Sequence, residues 1–541
     1  MGKLERHSAA CEPHPFYHDV KMSSTQRIRG IILGSVLFPL RLSLMSIFFL
    51  LMWPLARLHL AGLSQEERSR PVTGWRRWLF HPIMWFLSRA VFFSLGFVWV
   101  KVKGRRADLK EAPVLVVAPH SSFLDMLVLC STQLPTVVSR SENTSLPVIG
   151  ALLEFNQSVL VSRRDPESRR KAVAEIAERV TSNGYWPQML MFPEGTTTNG
   201  SVLIKFKPGA FLSGVPVQPV LLRYPNKLNT VRWSYTGTTW LEALWHTSSQ
   251  LYTNMTVEFL PVYTPSQEER NNPSLYADNV QKVMAKALSI PAKDYVMEGD
   301  VPVCKVGGLS LPLVSPGRET LTLLHKAGLG SISVPSLSST VCATFIMCVC
   351  VCVCVCVSLG TCEVEVALQR MIGRCQNGAQ GTTVSAEELS SLLGLVDQRT
   401  AVNICSLYSK EKMVDLRQIY LNVAALSGLF SIESVLHTAF SLFDTDDKGS
   451  LSAEELSGLM GALLGLRQNH TAELYSVASN HGLLTQDDLL QVFTSHPTYQ
   501  EVATRHLQPD KETGPLLAHT HKTVVNNNGD MINGNKSLKR E

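Results

Sequence analysis

Charge is scarce in this chain. Acidic and basic residues make up 18% of its 541 positions and nearly cancel, leaving +5 at neutral pH. That balance excludes a disordered polyelectrolyte and a strong polyanion binder, and no nucleic-acid partner is expected. Ser121 and Ser122 stand outside any G-x-S-x-G turn, which argues against a nucleophile-elbow hydrolase. The C-terminal Lys536-Ser537-Leu538-Lys539-Arg540-Glu541 lacks the paired lysines of a dilysine retrieval signal. A cleaved signal peptide is disfavoured too, because a polar stretch over 1–29 precedes the first apolar run, far longer than the usual leader. What is abundant is apolar: 45% of residues, in a length that implies two or three folded units.

The first apolar run, Gly30 to Leu60, is interrupted by Arg41 and Arg57, and the stretch Leu42 to Ala56 carries no charge. About 20 apolar residues cross a bilayer, so the run is long enough. Pro39 and Pro54 are expected to break it, and a second apolar run, Trp78 to Val100, follows. A span with an interfacial helix, or a re-entrant hairpin, fits residues 30–77. Basic residues flank both sides, so charge bias selects no orientation.

From 78 to 301 strand-like and helix-like stretches alternate, which predicts an α/β sheet covered by helices. The strands are expected at Val114 to Val117, Val159 to Val161, Met189 to Phe192, Val217 to Leu222 and Val257 to Val262. Asp165-Pro166-Glu167 and Asn272-Pro273 read as helix starts, a capping side chain followed by a first-turn proline. After the first strand come Pro119-His120-Ser121-Ser122-Phe123-Leu124-Asp125. A histidine at a strand end can take a proton near neutral pH, and an aspartate one turn on can fix its tautomer. Three further blocks follow: Ser158 to Arg164, a strand ending in two arginines; Phe192-Pro193-Glu194-Gly195-Thr196; and Val215-Pro216-Val217-Gln218-Pro219-Val220.

These four blocks, in this order, resemble the glycerolipid acyltransferase family. Phe206-Lys207-Pro208-Gly209-Ala210-Phe211, Leu222-Arg223-Tyr224-Pro225-Asn226 and a calcium-loop-like C-terminal half are similar to its lysophosphatidylcholine acyltransferase branch. Pro147 to Leu153 and Arg163-Arg164-Asp165-Pro166 most resemble the lysophosphatidylethanolamine acyltransferases within it. The resemblance implies an endoplasmic reticulum enzyme with a cytosolic site that moves an acyl group from acyl-CoA to the hydroxyl of a lysophospholipid, with the bilayer as partner. No tightly bound cofactor is expected. His120 would be the general base and Asp125 its orienter, and no acyl-enzyme is needed because a thioester is already activated. Arg163 would bind the acceptor's phosphate through its guanidinium fork. The resemblance favours acceptor contacts for Glu194, Gly195 and Thr196, with a Glu194 that braces backbone amides or an arginine as the alternative. Lys205 and Lys207 would meet CoA phosphates or face solvent, and the Val215 to Val220 block would line a channel or form a core strand. A lysophosphatidate or alkyl lyso-lipid acceptor, and an inactive scaffold, are the alternatives. The sequon Asn199-Gly200-Ser201 would place a glycan against the site, which favours a cytosolic face.

Residues 302–362 are expected to form a linker. It carries Cys348 to Val357, a strict Cys-Val alternation holding five of the twelve cysteines. Such text is what an in-frame TG repeat encodes, and the family resemblance lapses from about Gly328 to Thr361. We hypothesise translated intronic sequence or a gene-model error; a mature message that retains the repeat as coding sequence would refute this. An all-α, EF-hand-like domain is expected over 363–507. Its loop Asp444 to Glu455 has acids at the first, third and twelfth positions and Gly449 at the sixth. Asp444, Asp446, Ser450 and Glu455 are the candidate metal ligands, but Lys448 puts a cation where an oxygen belongs, so calcium binding is expected to be weak. The tail 508–541 is polar and expected to be disordered.

Overall fold

The computed structural model describes residues 14–162, 165–234, 236–298, 301–329, 363–376, 382–409, 411–468, 471–479 and 483–508. The Cys-Val tract, the Arg163-Arg164 pair and the tail beyond 508 lie outside the described residues. The chain divides into two units, one ending at Lys305 and one starting at Val306.

The strands of the first unit include β1 (Tyr17–His18), β2 (Val100–Lys103), β3 (Val114–Ala118), β4 (Thr136–Arg140), β5 (Val159–Val161), β6 (Met189–Met191), β7 (Val217–Arg223), β8 (Thr236–Gly237) and β9 (Met255–Phe259). Seven form one mixed sheet in the order β2-β9-β7-β3-β6-β4-β5. Neighbours run parallel except β7 and β9. β3 lies in the middle and is buried along its length. Its alternation divides the core: Val114, Val116 and Ala118 join one apolar cluster with the helices Pro166–Val180 and Pro273–Leu288, whereas Leu115 and Val117 join another with Phe97, Leu124, Leu127 and Leu244. A short all-apolar strand is what a sheet covered on both faces requires. Asp165 and Asn272 cap the two helices as the sequence suggests, accepting from Glu167 N–H at 2.9 Å and Leu275 N–H at 3.1 Å.

Several expectations are corrected. The helix Ser24–Leu60 runs unbroken through Pro39 and Pro54 and begins six residues earlier than its apolar stretch. Each proline removes one N–H, but apolar side chains on all sides leave the backbone no better partner than its own helix. The 77/78 boundary falls inside a second helix, Gly74–Ser94, which packs on the first. Of the two readings of the Val215 to Val220 block, the core strand is the one found from Val217 onward: Val217 and Val220 are fully buried between β3 and β9.

The second unit is helical. Residues 302–328 are no simple linker, because Leu309, Leu311 and Leu324, the last on the helix Pro316–Lys326, belong to its core. Helix–loop–helix units follow in pairs. The strand Thr383–Ser385 runs antiparallel to Met413–Asp415, and Leu451 bridges Leu484. The helices on either side of each bridge close one apolar core around Met371, Ile404, Ile419, Ala439, Leu459 and Leu489.

Candidate active site

The register of three neighbouring strands builds the site. Val114 of β3 pairs with Met189 of β6 on one side and Val217 of β7 on the other, so the three parallel strands start level and run the same way, and the residues that follow them emerge at one edge of the sheet. Residues just past their C-terminal ends are therefore brought side by side, at the edge where open α/β sheets place their ligands. β3 delivers His120, β6 delivers Glu194, and β7 delivers Tyr224.

Asp125 is the hub. It sits at the third position of a short 3-10 helix, Phe123–Leu127, capped by Ser122, and is fully buried. Its Oδ2 accepts from His120 Nδ1–H at 2.8 Å, Ser121 N–H at 2.6 Å and Ser122 N–H at 2.9 Å. Its Oδ1 accepts from the Tyr224 hydroxyl. A buried carboxylate needs such donors, since an unmatched charge in this setting costs several kcal/mol. Burial, and after it the Asp125 charge, hold the Tyr224 phenol well above its ordinary pKa, so it donates at all working pH values. His120 is partly exposed, with 17% of its side chain open, and its ring stacks on Phe192 at 4.2 Å between centroids. With Nδ1 held by the carboxylate, Nε2 has no hydrogen-bond partner among the described residues. An imidazole so held can accept a proton at Nε2 and keep the resulting charge stabilised.

Glu194 is placed otherwise than an acceptor ligand would be. Only 1% of it is exposed; Oε1 accepts from His120 N–H at 2.6 Å, and Oε2 lies 3.4 Å from Thr198 Oγ1. Its carboxyl braces the backbone of the His120 loop, and burial pushes its pKa up to about 8, with the nearby Asp125 charge adding to the shift. Thr198 N–H closes the arrangement by donating to the His120 carbonyl at 2.8 Å. Gly195 adopts φ +66°, a conformation that suits glycine, and its Cα faces the Lys207 stem: a Cβ there would come within 3.0 Å of Lys207 Cδ. Thr196 follows it, half-buried. Lys207 is thus beside the site, whereas Lys205 is committed to Asp278 at 3.5 Å and Asp294 at 3.3 Å. Arg163 lies outside the described residues.

Sequence reasoning missed Tyr224 as a partner of Asp125 and the chain's own N-terminal segment as a neighbour of the site. β1 pairs with β8, and Asn199 holds the segment that bears β1: its Nδ2 donates to the carbonyls of His14 at 2.9 Å and Tyr17 at 2.8 Å, while its Oδ1 accepts from Ser201 N–H and Oγ–H. A glycan on that nitrogen is incompatible with this arrangement.

The candidate metal ligands of the second unit are not gathered. Asp444 accepts from the N–H groups of Lys448 and Gly449 at 2.9 and 2.8 Å, Asp446 pairs with Lys448, and Glu455 accepts from Ser452 N–H at 2.7 Å. Ser450 lies in the same loop, partly buried. Among the described residues no group of three or more His, Cys, Asp or Glu side chains is placed to hold an ion.

The Acyltransferase family model matches residues 99–223, the span that carries β2 through β7. Lysophospholipid acyltransferase LPCAT4 of Xenopus tropicalis is 42% identical over 506 residues, covering 92% of this chain and 90% of that protein. The chain belongs to the lysophospholipid acyltransferase family. LPCAT4 of Homo sapiens is 42% identical over 92% of this acyltransferase and 89% of its own length, and human lysophosphatidylcholine acyltransferase 2 is 37% identical over 92% and 85%. A crystal structure of the 1-acyl-sn-glycerophosphate (LPA) acyltransferase PlsC from Thermotoga maritima covers 49% of this chain and 98% of its own, at 17% identity and a TM-score of 0.34.

Proposed function

We propose that this acyltransferase is membrane-bound and moves an acyl group from acyl-CoA to the free hydroxyl of a lysophospholipid, lysophosphatidylethanolamine or lysophosphatidylcholine, with His120 as general base. The observation that carries this reading is the His120 Nδ1 to Asp125 Oδ2 contact of 2.8 Å, which leaves Nε2 as the ring nitrogen available to a substrate on a partly exposed side chain. The acceptor hydroxyl gives its proton to Nε2 as its oxygen attacks the thioester carbonyl. The tetrahedral adduct then collapses, the carbon–sulfur bond breaks, and CoA leaves as the thiolate or, protonated by the imidazolium, as the thiol. Arg163, Thr196 and Lys207 stand as proposed substrate contacts, and Glu194 as a positioning residue.

Membrane attachment is supported by side chains that water does not favour. Ile32, Val36, Leu40 and Leu50 on the first long helix, and Trp78, Phe86 and Trp99 beyond it, are each more than half exposed. Covering each is worth roughly 1.5–3 kcal/mol. The first helix is long and apolar enough to cross a membrane, and it packs on the helices Gly74–Ser94, Pro147–Phe155 and Trp240–Ser248 of its own unit. We therefore propose a hairpin anchor in the endoplasmic reticulum membrane, with the site on the cytosolic side. The C-terminal unit is proposed to be an EF-hand-like array in which calcium has no structural role.

Membranes expressing the chain should transfer labelled oleate from oleoyl-CoA to one of these lysophospholipids, and His120→Ala at equal expression should lose the activity by about a thousandfold or more. Equal rates in mutant and wild type would overturn the assignment of the base.

A further inference from the structure

Arg232 is a half-buried cation beside the site that no carboxylate among the described residues pairs with. The segment bearing it is fastened to the loop after His120: Trp233 N–H donates to the Ser121 carbonyl at 2.8 Å, and the Trp233 ring meets Phe123 edge-on at 5.8 Å. With the Asn229 amide turned to satisfy both residues, its oxygen accepts from Arg232 Nε at 2.7 Å and Nη1 at 3.3 Å. That contact fixes the plane of the guanidinium and leaves the Nη2 side directed elsewhere. It is directed at the Gly200 turn: a Cβ added at Gly200 would lie 3.5 Å from Nη2 and 3.7 Å from Cγ of Pro119, the residue before His120. Nη2 has no hydrogen-bond partner among the described residues.

Two other half-buried arginines of this unit, Arg41 and Arg223, are held by several acceptors each. Arg41 donates to the carbonyls of Leu95, Ser248, Gln250 and Leu251; Arg223 donates to Glu258, Ala287 and Leu288. Burying a guanidinium lowers its hold on the proton, and Arg232 shows that direction, offset in part by Asp125. Yet Asp125 already accepts four donors and makes no ion pair with it. A cation held in one plane, partly desolvated and left without an anion is arranged to receive one.

We infer that Arg232, through Nη2 across the Gly200 turn, binds a phosphate group of a substrate, and that this group is the phosphodiester of the acceptor lipid. The inference rests on the acyltransferase reading above. The acceptor's phosphorus is only a few bonds from the hydroxyl that must reach His120 Nε2, whereas the phosphates of CoA are separated from the thioester by the whole pantetheine arm. A cation next to the His120 loop therefore matches the acceptor.

The test is steady-state kinetics of the full chain in membranes, with lysophosphatidylethanolamine and oleoyl-CoA varied separately. Arg232→Gln is expected to raise KM for the lysophospholipid roughly tenfold while KM for oleoyl-CoA stays within about twofold, and Arg232→Lys is expected to recover part of the loss. Gly200→Asp leaves Arg232 in place but sets a carboxylate against it, at a backbone conformation aspartate tolerates, and is expected to mimic Arg232→Gln. This second variant carries the test should Arg232→Gln fail to fold. A rise in KM for oleoyl-CoA alone would reassign the guanidinium to CoA and overturn the acceptor site. Unchanged constants in folded variants would overturn any phosphate role. Wild-type membranes with no transfer would instead defeat the proposed reaction itself, a result the KM comparison cannot produce.

Discussion

At the scale of single residues, two buried groups make opposite demands on protons. Asp125 is surrounded by donors, and removing one of them should be read in the behaviour of His120. Tyr224→Phe deletes the donor to Oδ1. The carboxylate then loses one of the contacts that aim it at His120 Nδ1, so the base is held less firmly and kcat should fall. A hydrogen bond to a charged group is worth about 1.5–3 kcal/mol, which sets the expected fall in kcat at roughly tenfold or somewhat more. An unchanged kcat would show that the phenol does not act through Asp125. Glu194 is the reverse case, since burial raises it from 4.5 to about 8. Its native form holds a proton that its unfolded form has released, so its contribution to stability is complete below about pH 4.5, declines as pH rises to about 8, and is level beyond. Glu194→Gln keeps the shape without the titration. Thermal unfolding should lose more stability between pH 5 and 8 in the wild type than in the variant, and equal slopes would refute the assignment.

At the scale of elements, strand ends were legible and partnerships between them were not. The apolar run of β3 followed by His120 and Asp125 marks a buried strand opening into a polar loop, and the capping signals at Asp165 and Asn272 act locally, within a few residues. Tyr224 lies 99 positions from Asp125, and only the β3–β7 register brings them together. Glu194 was ambiguous for the same reason: its role depends on whether the carboxyl points out of its turn or back under the neighbouring loop. The unbroken helix through Pro39 and Pro54 shows a local signal overruled by surroundings. The loop Asp444 to Glu455 shows one retained in outline and altered in chemistry. Because Lys448 occupies the fifth position and pairs with Asp446, replacing EGTA with millimolar calcium should leave the unfolding temperature of the full chain unchanged within error. A clear upward shift would show that the loop rearranges to bind.

At the scale of the whole molecule, the division of labour follows the distribution of apolar surface. The first unit places its longest helix at its surface with apolar side chains outward, while the second folds its apolar residues inward around one core. The resemblance of the four blocks foretold the reaction class, but not the place of the N-terminal segment, because the pairing of Tyr17 with Thr236 leaves no periodic trace in either stretch. That segment has a bearing on how the enzyme ages. Asn199 is followed by Gly200, and an asparagine in that position is prone to deamidate, as the next backbone nitrogen attacks its side-chain carbonyl. Here the carboxamide is gripped by two carbonyls of residues 14–17, and the nitrogen that would attack donates to Thr198 Oγ1 at 3.3 Å. If deamidation does occur, the new carboxylate faces those same carbonyls and repels them, so a single slow chemical event would loosen the strap beside the active site and leave a permanent record of the protein's time in the cell.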